Sequence, residues 1–234
     1  MITIVTSLFD GRSFNIPHSS GIYDATWADK LYRGLKRNTK FPFELVVLVD
    51  KEYKFKEPIR QVPFLHRYKP EAGWSILTET YRPDLTNDWR VTLGLDTIIT
   101  GNVDDYLDPD KDFAMVSDPM FKGEVCNAIT WCSPASAQLI WNIWTTKQDW
   151  IKENCRLPPW NTVSEMVLMR KIFNQKGHLP CIDKIFPGIY SYKCHIVNQP
   201  ELMDKAKIVY FHGDPKPHQL GAYPVDEKVI KHWI

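Results

Sequence analysis

A length of 234 residues, 44% hydrophobic and 24% charged, excludes a disordered chain and suits one globular domain spanning residues 1–234. Its 29 basic and 28 acidic residues leave a formal charge of +1, which excludes a global field for nucleic acid or an anionic membrane, so any polyanion must be held locally. Five cysteines (Cys126, Cys132, Cys155, Cys181, Cys194), odd in number and without Cys-x-x-Cys spacing, argue against a disulfide frame or structural zinc and are read as reduced thiols. No secretory leader pattern, no apolar run near about 18 residues and no Asn-x-Ser/Thr sequon is found, so a soluble, cytoplasmic setting is expected, in the protein's own cell or a host's.

Residues 2–8 (ITIVTSL) and 44–49 (ELVVLV) read as short β-branched strands buried on both faces. Between them Trp27, Leu31 and Leu35 recur at four-residue spacing, with Lys36, Arg37 and Lys40 closing the pattern, which predicts an amphipathic helix with cations in its last turn. Strand, helix, strand opens a parallel α/β unit. Residues 58–70, with Pro63 inside, are read as irregular, and 73–83 shows no usable period. Residues 90–100 (RVTLGLDTIIT) are read as one further strand, closed by Gly101-Asn102, and 113–117 as another. Ser133 followed by Pro134 marks a helix start continued by Ile140, Ile143 and Trp144. Thr162 and Glu165 have the spacing of a capping box ahead of residues 166–173, with Gly177 as the stop. Residues 207–211 (KIVYF) form a late strand, followed by Pro215 and Pro217.

Within the strand expected at 90–100, alternation puts Thr92, Gly94 and Asp96 on one face, and Asp96 stands near the carboxyl end, where open α/β sheets receive ligands. A carboxylate there suits a divalent cation holding a diphosphate; a turn or helix cap is an equally good reading of its position. The late strand runs into His212-Gly213-Asp214-Pro215-Lys216-Pro217-His218. A neutral imidazole there is a metal ligand, Gly213 lets backbone approach a ligand closely, and Lys216 is a point charge for phosphate. Asn127, read as following a strand, suits either a sugar hydroxyl or a turn, while the capping box accounts for Glu165 without a functional role. Trp141 and Trp144 are assigned to helix core, and Trp150 and Trp160 to possible sugar stacking. The sequence holds no P-loop, no Gly-x-Gly-x-x-Gly and no Gly-x-Ser-x-Gly, so it carries no signature of an NTPase, a dehydrogenase or a serine hydrolase.

Gly94-Leu95-Asp96-Thr97-Ile98-Ile99 with the stretch from Gly101 to Leu107 resembles the Asp-x-Asp region of glycogenin-like glycosyltransferases. Ser191-Tyr192-Lys193-Cys194-His195, followed by residues 206–218, is similar to the closing segment of a bacterial and viral branch of that superfamily. The resemblance implies a GT-A fold: one Rossmann-like α/β domain with a mainly parallel sheet flanked by helices. It implies transfer of a sugar from a nucleoside-diphosphate donor, typically UDP-linked, to an acceptor hydroxyl, with retention of configuration and with Mn²⁺ or Mg²⁺. By position, Asp96 and His212 would hold the metal, Lys216 and Gly213 the diphosphate, Thr6 and Ser7 the nucleoside, and Asn127 the donor sugar. Two departures stand out. The first Asp of the motif is Gly94, and the lysine that relatives carry just before the counterpart of Tyr81-Arg82-Pro83 is missing from residues 74–80. These departures keep two rivals in view: a nucleotide-sugar or glycan-binding protein without catalysis, and a nucleotidyltransferase.

Overall fold

The computed structural model describes residues 1–16, 21–65, 73–158, 160–175 and 177–234. The chain opens with β1 (Ile2–Leu8), α1 (Ala25–Asn38) and β2 (Phe43–Val49). Asp24 caps α1 by accepting from the Thr26 amide at 2.9 Å, and Trp27, Leu31 and Leu35 turn the predicted apolar stripe onto the sheet. Next comes β3 (Arg60–Pro63), inside the stretch expected to be irregular. It is an edge strand, pairing parallel with β2 from Arg60 to Pro63, and its proline closes it at a position where the missing donor disturbs nothing further. Residues 66–70 of that stretch lie outside the described residues.

A 3₁₀ segment (Ser75–Tyr81) leads into β4 (Arg90–Leu93) and the two-residue β5 (Ile98–Ile99). The single strand expected over 90–100 is therefore broken. At its middle the Thr97 amide donates to the Gly94 carbonyl at 3.1 Å, closing a turn that contains Leu95 and Asp96. Asp96 thus sits on a turn rather than on a strand face, and β5 leaves the main sheet. Gly and Asp are turn formers, and here they outweigh the apolar alternation on either side.

β6 (Phe113–Ser117) is where expected, and β7 (Val125–Cys132) follows it. Asn127 lies within β7 instead of after a strand. Ser133 caps α2 (Pro134–Thr146), its hydroxyl accepting from the Ser136 amide at 3.2 Å. Then come α3 (Gln148–Asn154), the short ribbon of β8 (Arg156–Leu157) and β9 (Thr162–Val163), and α4 (Glu165–Phe173). The expected capping box does not form. Thr162 belongs to β9, Ser164 is at the N-cap position without a side-chain cap bond, and the Glu165 carboxylate turns inward. The chain ends through α5 (Ile182–Ile185), β10 (Ile189–Ser191), a wide turn over Tyr192–Ile196, β11 (Ile208–Tyr210) and α6 (Asp226–Ile230).

The main sheet has the order β3-β2-β1-β4-β7-β6. β1, β2, β3 and β4 run parallel, and β7 runs against both of its neighbours. The mainly parallel α/β architecture expected from the sequence is therefore present. A second sheet, β10-β11-β5, lies beside it. One face of β1 buries Ile4 and Leu8 with Trp27, Leu31, Val91 and Leu93. The other buries Val5 with Val46, Leu48, Phe14, Phe64 and Ile76, so the central strand is apolar on both sides.

Candidate functional site

After β1 the chain moves outward through β2 to β3, then returns to place β4 on the other side of β1. Such a reversal opens a crevice at the carboxyl ends of the two central strands, the usual ligand position in an open α/β sheet. Here the crevice is flanked by residues 6–8 of β1 and 94–96 after β4. The second sheet brings a third segment to it. β5 pairs antiparallel with β11, Ile98 opposite Val209, so the chain leaving β11 runs back past the Asp96 turn and delivers His212 to Lys216 there.

Asp96 is the meeting point. Its Oδ2 accepts from Tyr23 Oη at 3.2 Å and forms an ion pair with Lys216 Nζ. Both partners of that pair are largely enclosed, 13% and 12% exposed, which sets it apart from the chain's solvent-facing ion pairs. Tyr23 comes from the β1–α1 connection and packs edge-on against Trp27 at 4.8 Å, and Trp27 in turn meets His218 at 5.5 Å. Burial first, then the Asp96 charge, push the Tyr23 hydroxyl far above its ordinary range, so it stays a donor.

His212 Nδ1 lies 3.3 Å from Ser191 Oγ, and Nε2 lies 3.6 Å from Cys194 Sγ. Burial, then the positive charges of Lys193 and Lys216, lower its pKa to about 4, so the imidazole is neutral at physiological pH. Gly213 has φ +60, and a Cβ on it would stand 3.0 Å from Lys193 Nζ. That ammonium forms no ion pair among the described residues.

The remaining expected residues divide. Thr6 is buried with its hydroxyl unpartnered among the described residues, while Ser7 is half-buried at the crevice. Asn127 Nδ2 donates to Glu165 Oε2 at 2.8 Å, and Tyr81 Oη donates to Glu165 Oε1 at 2.8 Å. Glu165 is 2% exposed, and burial raises its pKa against those two hydrogen bonds. Trp144 is core and Trp141 packs beside it, as expected, while Trp150 and Trp160 are exposed.

Sequence reasoning missed Tyr23, Lys193 and the Tyr81–Glu165 pair. Tyr23 was open to inference, since the segment after the first strand of a parallel unit emerges at the ligand end of the sheet. Lys193 and Tyr81 reach their places through tertiary packing that no local pattern encodes.

No family model and no characterised protein matches the chain by sequence. Solved structures match by shape. WbbM, a bifunctional glycosyltransferase in its apo form, aligns with TM-score 0.62 at 11% identity over 99% of this chain and 51% of its own. The galactosyltransferase LgtC, in complex with donor and acceptor sugar analogs, gives 0.62 at 11% identity over 97% of this chain and 94% of its own. The glycosyltransferase GlyE of Streptococcus pneumoniae TIGR4 gives 0.64 at 13% identity, covering all of this chain and 60% of its own. This chain has the GT-A glycosyltransferase fold. It spans about half of WbbM and three-fifths of GlyE, but nearly all of LgtC. Among the described residues no helix is long and apolar enough to cross a membrane.

Proposed function

We propose that the chain is a glycosyltransferase that moves a sugar from a UDP-linked donor to an acceptor hydroxyl with retention of configuration. The observation that carries this reading is the convergence of Asp96, Tyr23 and the turn from His212 to Lys216 on the crevice between β1 and β4. Ser7, with Thr6 behind it, faces the nucleoside; the Gly213 backbone and Lys216 receive the diphosphate; Asn127, held by Glu165, approaches the donor sugar. Lys216 stabilises the charge that develops on the departing diphosphate, and the site supplies rate mainly through that stabilisation and through positioning. A cavity of about 350 Å³ lined by Asp118, Asp183, His195 and Tyr210 adjoins the strand that delivers His212 and offers polar groups to an acceptor. A larger open groove, about 680 Å³, flanks the β2–β3 edge at Glu44 and Arg60, near the amino ends of those strands and away from the crevice.

The resemblance brings Mn²⁺ or Mg²⁺ with it, held by Asp96 and His212. These residues do not fit that ion well. A hard cation takes about six oxygen ligands. Asp96 is the crevice's motif carboxylate, and its Oδ2 already serves Lys216 and Tyr23. Among the described residues no three His, Cys, Asp or Glu side chains gather to hold an ion.

The test is a panel of nucleotide sugars incubated with the wild type and with Asp96→Ala, with donor consumption followed by mass spectrometry. Slow hydrolysis of a UDP-sugar that disappears in the variant is expected. A fully active variant overturns the assignment. Gly94, which removes a carboxylate from the motif, favours a second reading: a nucleotide-sugar-binding protein without turnover. Thermal stabilisation by UDP with no hydrolysis of any donor would select it.

A further inference from the structure

The proposed donor site is one motif carboxylate short at Gly94 and holds, beside Gly213, a Lys193 ammonium without an ion-pair partner among the described residues. We propose, resting on the nucleotide-sugar reading above, that two lysines, Lys193 and Lys216, bind the donor diphosphate directly and that no divalent cation takes part.

Four observations lead there. First, Gly94 stands where the motif's other carboxylate belongs, and a Cβ at that position would lie 3.0 Å from Asp96 Oδ1. The Asp96 carboxylate has folded back over the glycine, and a side chain there would press its tip aside by a few tenths of an ångström. Second, the remaining oxygen of Asp96 is engaged by Lys216 Nζ and Tyr23 Oη, which holds the ammonium at the mouth of the crevice. Third, both ring nitrogens of His212 already face neighbours, Ser191 Oγ at 3.3 Å and Cys194 Sγ at 3.6 Å. Fourth, Lys193 reaches over from the turn after β10 to lie against the backbone of Gly213, with no ion-pair partner among the described residues.

The charge balance differs from that of a cation site. A site for Mn²⁺ or Mg²⁺ gathers negative oxygens. Here Lys216 is paired with Asp96, and Lys193 sets a second ammonium beside Gly213. Of the other nearby carboxylates, Asp118 is bonded by Arg170 at 2.5 Å and Asp214 is exposed to solvent. The positive φ of Gly213 and its lack of a side chain leave its backbone accessible to an anion, and lysine is a compact charge suited to phosphate oxygens. The diphosphate would replace part of the Lys216–Asp96 contact and complete the charge of Lys193.

The test is calorimetric titration with UDP of wild type, Lys193→Met, Lys193→Arg and Asp96→Asn, each with excess EDTA and again with Mn²⁺ or Mg²⁺. The expected result is wild-type affinity equal within about twofold in all conditions, and a loss of about tenfold or more in Lys193→Met that Lys193→Arg largely restores. Asp96→Asn, which releases Lys216, should bind UDP as well or more tightly. Circular dichroism melting of each variant identifies any loss that comes from misfolding, in which case the Lys193→Arg titration decides. Binding that requires the cation, or tightens about tenfold or more with it, overturns the inference while leaving the nucleotide-sugar site standing. No UDP binding in any condition overturns the underlying reading as well.

Discussion

Two carboxylates stand at the ligand end of the sheet, and their surroundings are opposite. Asp96 lies on a turn at the mouth of the crevice, charge-compensated by Lys216 and braced by Tyr23. Glu165 lies behind β7 at the start of α4, nearly closed off from solvent, bonded by the neutral donors Tyr81 and Asn127. An enclosed ion pair near the surface can exchange partners when an anion arrives. A buried carboxylate held by neutral donors cannot do so cheaply, because removing one partner leaves another polar group unsatisfied. The contrast separates an exchangeable ion pair at Asp96 from a fixed structural network at Glu165, and it can be broken from either side.

The largest expected effect is on turnover. Under the proposed function Lys216→Ala removes the cation from the departing diphosphate and should lower kcat about 10²–10³-fold, measured by donor consumption on protein shown to be folded. Activity near wild type would erase the distinction between the two carboxylates. Glu165→Ala should act the other way, mainly on stability. It strands the Tyr81 hydroxyl and the Asn127 amide at a cost of about 3 kcal/mol, or roughly 6–12 °C in thermal melting. An unchanged melting point would show that the buried bonds hold nothing in place.

A third prediction concerns pH. His212 has an unfolded value near 6.5 and a folded value of about 4, so between them the unfolded chain binds the additional proton. Its contribution to stability is present above 6.5 and is lost as pH falls toward 4. His212→Asn should flatten that part of the stability-against-pH curve, read by chemical denaturation at several pH values. The smallest effect belongs to Tyr23→Phe. Removing a hydrogen bond of 3.2 Å to a carboxylate already paired with Lys216 should cost about 1 kcal/mol, seen as a several-fold rise in KM for the donor.

The same contrast shows what the sequence made legible. β1, β2, α1, α2, β6 and β11 followed from β-branched runs, four-residue spacing and a Ser-Pro start, which are local signals acting over a few residues. Asp96 and the turn from His212 to Lys216 were singled out because chemistry-bearing residues clustered near strand ends, and the fold brings them together. What failed was non-local. Leu93 and Leu95 alternate as in a strand, yet β5 is claimed by β11 and the chain must turn between them. Glu165 has capping-box spacing from Thr162, but the bonds to Tyr81 and Asn127 come from segments 84 and 38 residues away. Lys193 lay inside a noticed motif, and its place beside Gly213 depends on how the turn after β10 folds.

The most direct test of the donor site is a crystal structure of the protein with UDP bound. The diphosphate should lie beside the Gly213 backbone and Lys216 at the carboxyl ends of β1 and β4, with the nucleoside toward Ser7. A nucleotide seated elsewhere, in the groove beside Glu44 and Arg60 or in the cavity lined by Asp183 and His195, would contradict the account.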